Sequence, residues 1–220
     1  MNKLPTFPEV VEEKKRSPLR YILAVFLIFL LIVMIIPYYN IKLDPRPENI
    51  PSVEDVFFFE GTLSNKTYHI STVQDFKEFV DPTNPVIKRT ANLIATKTCS
   101  GERVCQAKAM YYFVRDNIEY VPDPVNFEYV EPAVEVLFSK GADCESGTFL
   151  LASLLESIGV DTELVFVPKH AFLRAKIPDA LKSYKIEGWV YLDWTCKNCE
   201  FGEIPLGNSF EKRTFLDVGR

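Results

Sequence analysis

The sequence predicts an α+β domain, in which one buried helix packs on an antiparallel sheet, behind an N-terminal transmembrane helix. Three observations carry this expectation. Residues 145–158 (ESGTFLLASLLESI) set Phe149, Leu150, Leu151, Leu154, Leu155 and Ile158 around most of a helical circumference, which marks a central helix rather than a surface one. The next three segments, 161–167, 170–177 and 187–193, alternate in polarity and are rich in aromatic and β-branched residues, as strands require. Residues 21–41 carry no charge and run almost unbroken through Ile, Leu, Val and Phe from Ile22 to Ile36. A buried helix followed by consecutive strands is the pattern of an α+β layer.

The apolar run comes first along the chain. It is long enough to cross a bilayer as a helix, with Tyr38 and Tyr39 at an interfacial edge. A core helix of a soluble protein would show an amphipathic face, and none relieves this run. A cleavable signal peptide would have a shorter apolar stretch and a small-x-small cleavage site, which Ile-Pro-Tyr-Tyr-Asn (36–40) does not offer. We therefore read a retained signal anchor in contact with the lipid bilayer. Lys14, Lys15, Arg16 and Arg20 precede it, whereas Lys42 and Arg46 after it are diluted by Asp44 and Glu48. That asymmetry puts residues 1–20, a polar tail, in the cytoplasm and residues 42–220 outside, on a single-pass cell-membrane protein. Pro45, Pro47 and Pro51 then suggest a stiff spacer over residues 42–53, within an extension reaching residue 84.

In the exported part, Val56–Phe59 is strand-like and residues 73–80 suit a short helix. Asn65-Lys66-Thr67 is a glycosylation sequon if the cell modifies exported proteins. Helical spacing sets in from about Pro85, over 86–98 and again over 102–117, so residues 85–220 form the catalytic domain in this reading. Ile118–Val121 reads as a short extended piece ended by Pro122 and Pro124, and Val134–Phe138 as one turn of helix before the Gly141 loop.

Composition narrows the function. With 220 residues and a net charge of −5, the chain has no basic groove, which argues against a nucleic-acid partner. Of five cysteines, Cys99 lies near Cys105 and Cys196 near Cys199, leaving Cys144 alone. In an oxidising compartment two disulfides and one free thiol account for this, although other pairings and a zinc site of Cys99, Cys105, Cys196 and Cys199 stay open. Five residues between the first two cysteines is not a favoured zinc spacing. Cys196-Lys-Asn-Cys199 could also be a redox motif, but Gly202 and Pro205 forbid the helix that such a motif needs. No cofactor is expected. Gln74 and Gln106 are the sole glutamines, a scarcity that hints at a thermophile.

Cys144 is the candidate nucleophile. It stands where a Gly-containing loop turns into the apolar helix, a place where the helix N-terminus should favour a thiolate. A base and an orienting carboxylate must come from elsewhere. The chain has two histidines, and His69 lies in a polar, turn-like stretch without a partner. His170 and Asp193 each fall at one end of neighbouring strand segments, which could bring them together over that helix start. Thiol, imidazole and carboxylate in that order are the parts of a cysteine nucleophile.

The segment Gly-Ala-Asp-Cys-Glu-Ser-Gly-Thr-Phe-Leu-Leu-Ala-Ser-Leu-Leu-Glu-Ser-Ile-Gly-Val (141–160) resembles the nucleophile segment of the transglutaminase-like superfamily. Lys-His-Ala-Phe-Leu-Arg-Ala (169–175) is similar to its histidine strand, and Trp-Val-Tyr-Leu-Asp-Trp-Thr (189–195) to its Leu-Asp-x-Thr strand. Val-Arg-Asp-Asn-Ile-Glu-Tyr (114–120) resembles the end of the helix before its core. The blocks stand in the family's order over roughly residues 86–200, and the chain looks like a membrane-anchored, prokaryotic or archaeal type.

The resemblance implies a papain-like fold, with Cys144 as nucleophile, His170 as base and Asp193 as orienter. It also implies acyl transfer through a thioester, with the Cys144 N–H as one oxyanion donor and Tyr120 as a candidate second. Trp194 stands where the family often has proline. The chain is short beside animal transglutaminases and shows no calcium loop, so hydrolysis of a peptide or isopeptide bond is favoured over amine cross-linking. Its substrates would be cell-wall peptides or other surface proteins. The non-enzymatic alternative is a catalytically silent surface domain that binds partners on the same scaffold.

Overall fold

The computed structural model describes residues 18–58, 70–124, 129–209 and 211–219. The chain divides into two units, residues 1–42 and 43–220. In the first, helix α1 (Pro18–Leu43) has 26 residues, about 39 Å at the usual rise per residue. Its stretch Pro18–Ile36 has a mean hydropathy of 3.0 and is long and apolar enough to cross a membrane. The expected tail enters this helix at residues 18–20, and its earlier residues, like His69 and the sequon at 65–67, lie outside the described residues.

In the second unit, the segment expected as a spacer lies against the domain instead. Asp44 accepts from Lys108 Nζ at 2.5 Å and from the Tyr184 hydroxyl at 2.8 Å. The Glu48 N–H donates to the Thr98 carbonyl and Asn117 Nδ2 to the Pro51 carbonyl. A short helix, α2 (Val53–Val56), stands where the strand at 56–59 was expected to begin, and it buries both of its valines. Burial of this apolar pair decides the segment's place, because a solvated spacer would leave both in water.

Residues Val73–Phe79 form a 3-10 helix. Helices α3 (Pro85–Thr98) and α4 (Arg103–Asn117) follow. Asn84 caps α3 by accepting from the Val86 N–H, with Pro85 at the first helical position, where its missing N–H costs nothing. Strand β1 (Glu119–Tyr120) runs parallel to β2 (Gly141–Ala142), with α5 (Ala133–Ser139) between them. Lys140 ends α5 in the left-handed region at φ 58°. Helix α6 (Cys144–Ser157) is buried from Ser146 to Glu156 and packs on α3, α4, α5 and the sheet.

That sheet is antiparallel and has five strands: β3 (Thr162–Val167), β4 (His170–Ala175), β5 (Lys185–Ile186), β6 (Trp189–Leu192) and β7 (Thr214–Asp217), in the order β5-β6-β4-β3-β7. Alternation divides its faces. Leu164, Leu173, Ala175, Val190 and Leu192 join the main core with α6, while Val165, Val167, Phe172 and Tyr191 form a second cluster. The expected α+β architecture is therefore present, with β7 added at the edge beside β3. The four outer cysteines form two disulfides, Cys99–Cys105 and Cys196–Cys199, and Cys144 is a free, buried thiol. Of the open alternatives, the disulfide pairing is the one realised; cysteines so bonded are not available as zinc thiolates.

Candidate active site

The turn from β2 into α6 sets the nucleophile. Asp143 is the N-cap, and its carboxylate accepts from the Ser146 N–H at 2.8 Å, which makes Cys144 the first helical residue. The Cys144 carbonyl is gripped from two sides. Trp194 Nε1 donates to it at 3.2 Å and the Thr148 hydroxyl at 2.6 Å. That same hydroxyl lies 3.3 Å from the Ala171 carbonyl, which sets α6 against the start of β4. The Ala171 N–H in turn lies near enough to the Cys144 sulfur to favour its ionised form. The residue before Ala171 is His170.

A two-residue turn between β3 and β4, with Lys169 at φ 64°, makes His170 the first residue of β4. Asp193 directly follows β6, and the antiparallel register Leu173↔Leu192 sets the start of β4 beside the end of β6. His170 Nε2 and Asp193 Oδ2 are 2.8 Å apart, with Asp193 wholly buried. Thr195 donates to Asp193 Oδ1 through its N–H at 3.1 Å and its hydroxyl at 2.7 Å, and Asn208 Nδ2 donates to Oδ2 at 3.3 Å. This carboxylate is surrounded by donors, so it fixes the imidazole with Nε2–H as donor and leaves Nδ1 as the acceptor nitrogen. The strand ends thus bring together the imidazole and carboxylate that the sequence singled out, with the thiol at the neighbouring helix start.

The electrostatics of the thiol differ from expectation. Cys144 Sγ donates to Glu145 Oε2 at 2.8 Å. Burial pushes the thiol well above its ordinary range, the adjacent Glu145 charge pushes it further, and the Ala171 N–H only partly offsets them. The helix N-terminus by itself favours a thiolate, but here a carboxylate in the first turn opposes it. The Glu145 carboxyl is itself pushed up to about 7, chiefly by burial and then by Asp143.

Tyr120, set beside Ala142 by the β1–β2 pairing, is half-exposed and its phenol is raised by burial and by the charges of Cys144, Asp143 and Glu145. A cleft of about 480 Å³ opens next to the helix start, lined by Val121, Tyr129, Glu131, Asp143 and Ser146 among others. Cleft and nucleophile share Asp143.

Sequence reasoning missed Glu145, Thr148 and Asn208. Glu145 could have been found, since an acid next to a candidate nucleophile at a helix start bears directly on its charge. Thr148 was visible only as one turn along the same helix. Asn208, in the short helix α7 (Leu206–Ser209), carries no local signal; its role exists only because the chain returns past Asp193.

Residues 89–197 match the sequence model of the transglutaminase-like superfamily. Among solved structures, a candidate protease from Parabacteroides distasonis matches with a TM-score of 0.40 and 13% identity over 59% of this chain. The match covers 31% of that chain, so this chain spans about a third of its length. No curated protein matches.

Proposed function

Because residues 89–197 form a domain of the transglutaminase-like superfamily, we propose that this chain is a membrane-anchored cysteine enzyme that hydrolyses peptide or isopeptide amide bonds outside the cytoplasm. The observation that carries the reading is the 2.8 Å bond between His170 Nε2 and Asp193 Oδ2, at the end of the sheet beside the helix start that holds Cys144.

The chemistry follows from these parts. His170 Nδ1 takes the thiol proton as Cys144 Sγ attacks the amide carbonyl, and Asp193 accepts from Nε2–H and stabilises the imidazolium that results. The tetrahedral oxyanion is met by the Cys144 N–H, which as the first helical N–H has no partner within the helix, with Tyr120 as second donor. As the C–N bond breaks, His170 returns the proton to the leaving amine and a thioester remains. Water, deprotonated by the same imidazole, attacks the thioester and releases the acid and the thiol. An amine in place of water gives cross-linking.

Two features support an extracytoplasmic site: the cluster Lys14, Lys15, Arg16 and Arg20 before the apolar run, and the two disulfides. One observation favours a second reading, a silent binding domain: the buried thiol donates to Glu145.

The test uses the full chain in detergent, with a panel of acyl-peptide and lysine-isopeptide substrates in water and with added primary amine. Release of amine by the wild type, abolished in Cys144→Ala, is the expected result. Amide turnover that survives Cys144→Ala would exclude the mechanism, and incorporation of amine in preference to hydrolysis would make the enzyme a cross-linker.

A further inference from the structure

The contact between Cys144 and Glu145 has no part in the acyl-transfer steps above, yet it is the hydrogen bond that the thiol donates. Glu145 lies in the first turn of α6, partly buried, with its Oε2 2.8 Å from Sγ. The titratable groups that face it include Asp143 from the preceding loop, Cys144 itself and Tyr120 from β1. None of these is a cation. Among the described residues the ion pairs involve other acids, Asp44, Glu54, Asp116, Glu163 and Asp193. A carboxylate against a buried thiol makes the thiolate a second negative charge in one site, which disfavours it.

We propose that Glu145 is a positioning residue that latches Cys144 as a neutral thiol while charged, so that the nucleophile forms when Glu145 takes up a proton. This regulation rests on the reading of Cys144 as nucleophile, and the route of its proton on that of His170 as base. In the latched state the Cys144 proton points at Oε2 and is withheld from the imidazole. Once Glu145 is protonated, its hydroxyl can donate to sulfur, the cysteine proton passes to His170 Nδ1, and a thiolate–imidazolium pair results. One proton is taken up from solvent and none is lost. The Glu145 carboxyl, pushed up to about 7 by burial, is charged above that value and neutral below it. The site is therefore held off in alkaline surroundings and released as they acidify.

Iodoacetamide alkylation of the full chain in detergent, followed by mass spectrometry of the Cys144 peptide, reads this without any substrate, because the other four cysteines are in disulfides. An ordinary thiol loses reactivity about tenfold per pH unit below its pKa. The latch predicts that the wild-type rate between pH 8 and pH 6 falls by far less, and that Glu145→Gln is at least tenfold faster at pH 8. An unchanged or slower rate in a folded Glu145→Gln protein overturns the proposal. Should that variant fail to fold, a wild-type rate falling about tenfold per unit from pH 8 to pH 6 overturns it equally. His170→Ala separates the two ideas. If Glu145→Gln accelerates alkylation while His170→Ala leaves the acid-side rate unchanged, the latch stands and the role of His170 as base fails.

Discussion

Trp194 stacks so closely on Gly147 that a β-carbon at position 147 would lie 2.2 Å from two indole carbons. The same indole donates to the carbonyl of Cys144. One glycine therefore sets how deeply the tryptophan seats, and the tryptophan sets where the nucleophile's backbone lies. Gly147→Ala should cost ~1–3 kcal/mol through overpacking, read as a lower midpoint in urea unfolding of the unit at residues 43–220. An unfolding midpoint equal to wild type would show that the indole can shift freely.

Asp193→Asn should fold and lose turnover by ~100-fold or more. The two Thr195 donors hold Oδ1, so the new amide group would face His170 Nε2–H and Asn208, donor against donor. The imidazole must then change tautomer, and Nδ1 stops being an acceptor for the thiol proton. Full kcat with an unaltered melting curve would remove Asp193 from the mechanism.

Asn208→Ala tests whether α7 helps to position that carboxylate. Its bond to Asp193 is 3.3 Å long, so the effect should stay below ~1.5 kcal/mol, about tenfold or less. It should fall on kcat and not on KM, because Asn208 reaches the reaction only through Asp193 and His170. A change confined to KM would point to a substrate contact instead.

Lys108 is almost wholly buried against Asp44, with its ammonium 5.0 Å from the Tyr184 ring centroid and 5.7 Å from that of Phe201. Asp44→Ala strands a buried cation and should cost ~3–5 kcal/mol, whereas Lys108→Met, which removes the charge and keeps the bulk, should cost less. The double variant should recover part of the Asp44→Ala loss. Thermal melts of the four proteins give the comparison, and additive losses would mean that the two residues do not interact.

Glu145 makes stability depend on pH. Its carboxyl is raised in the folded protein from an ordinary 4.5 to about 7. A group raised in this way contributes stability below its unfolded value and loses it as pH rises through the folded one. The wild type should therefore melt lower at pH 8 than at pH 5, and Glu145→Gln should lose less over the same interval. An equal drop in both proteins would assign the pH dependence to other carboxyls, of which Glu156, Glu131 and Glu135, all raised by burial, are the candidates.

Much of this was legible along the chain because its causes are local. The helices at 85–98, 103–117 and 144–157 and the strands at 162–167, 170–175 and 189–192 follow from periodicity, capping and β-branched content, which neighbouring residues decide. Cys144, His170 and Asp193 were found because each falls at an element's end, where side chains from different elements can converge. The prolines of residues 42–53 suggest a spacer, yet Val53 and Asp44, with Val56 just beyond, bind this segment to the domain. The residues that meet Val53, Val56 and Asp44 lie far along the sequence, so no local pattern could reveal the contact.

The sequence by itself determined which elements form, where the apolar span lies, and which thiol, imidazole and carboxylate were available. Hydrogen-bond periodicity and apolar spacing act over a few residues, and that is what a chain displays directly. Only the tertiary structure decided that Asn208 and Thr195 hold Asp193, that Trp194 rests on Gly147, and that Glu145 rather than an imidazole takes the hydrogen bond of the Cys144 thiol. Those outcomes depend on burial and on charges brought together across space. The ionisation of a thiol is set by that enclosure, beyond what its place at a helix start can specify.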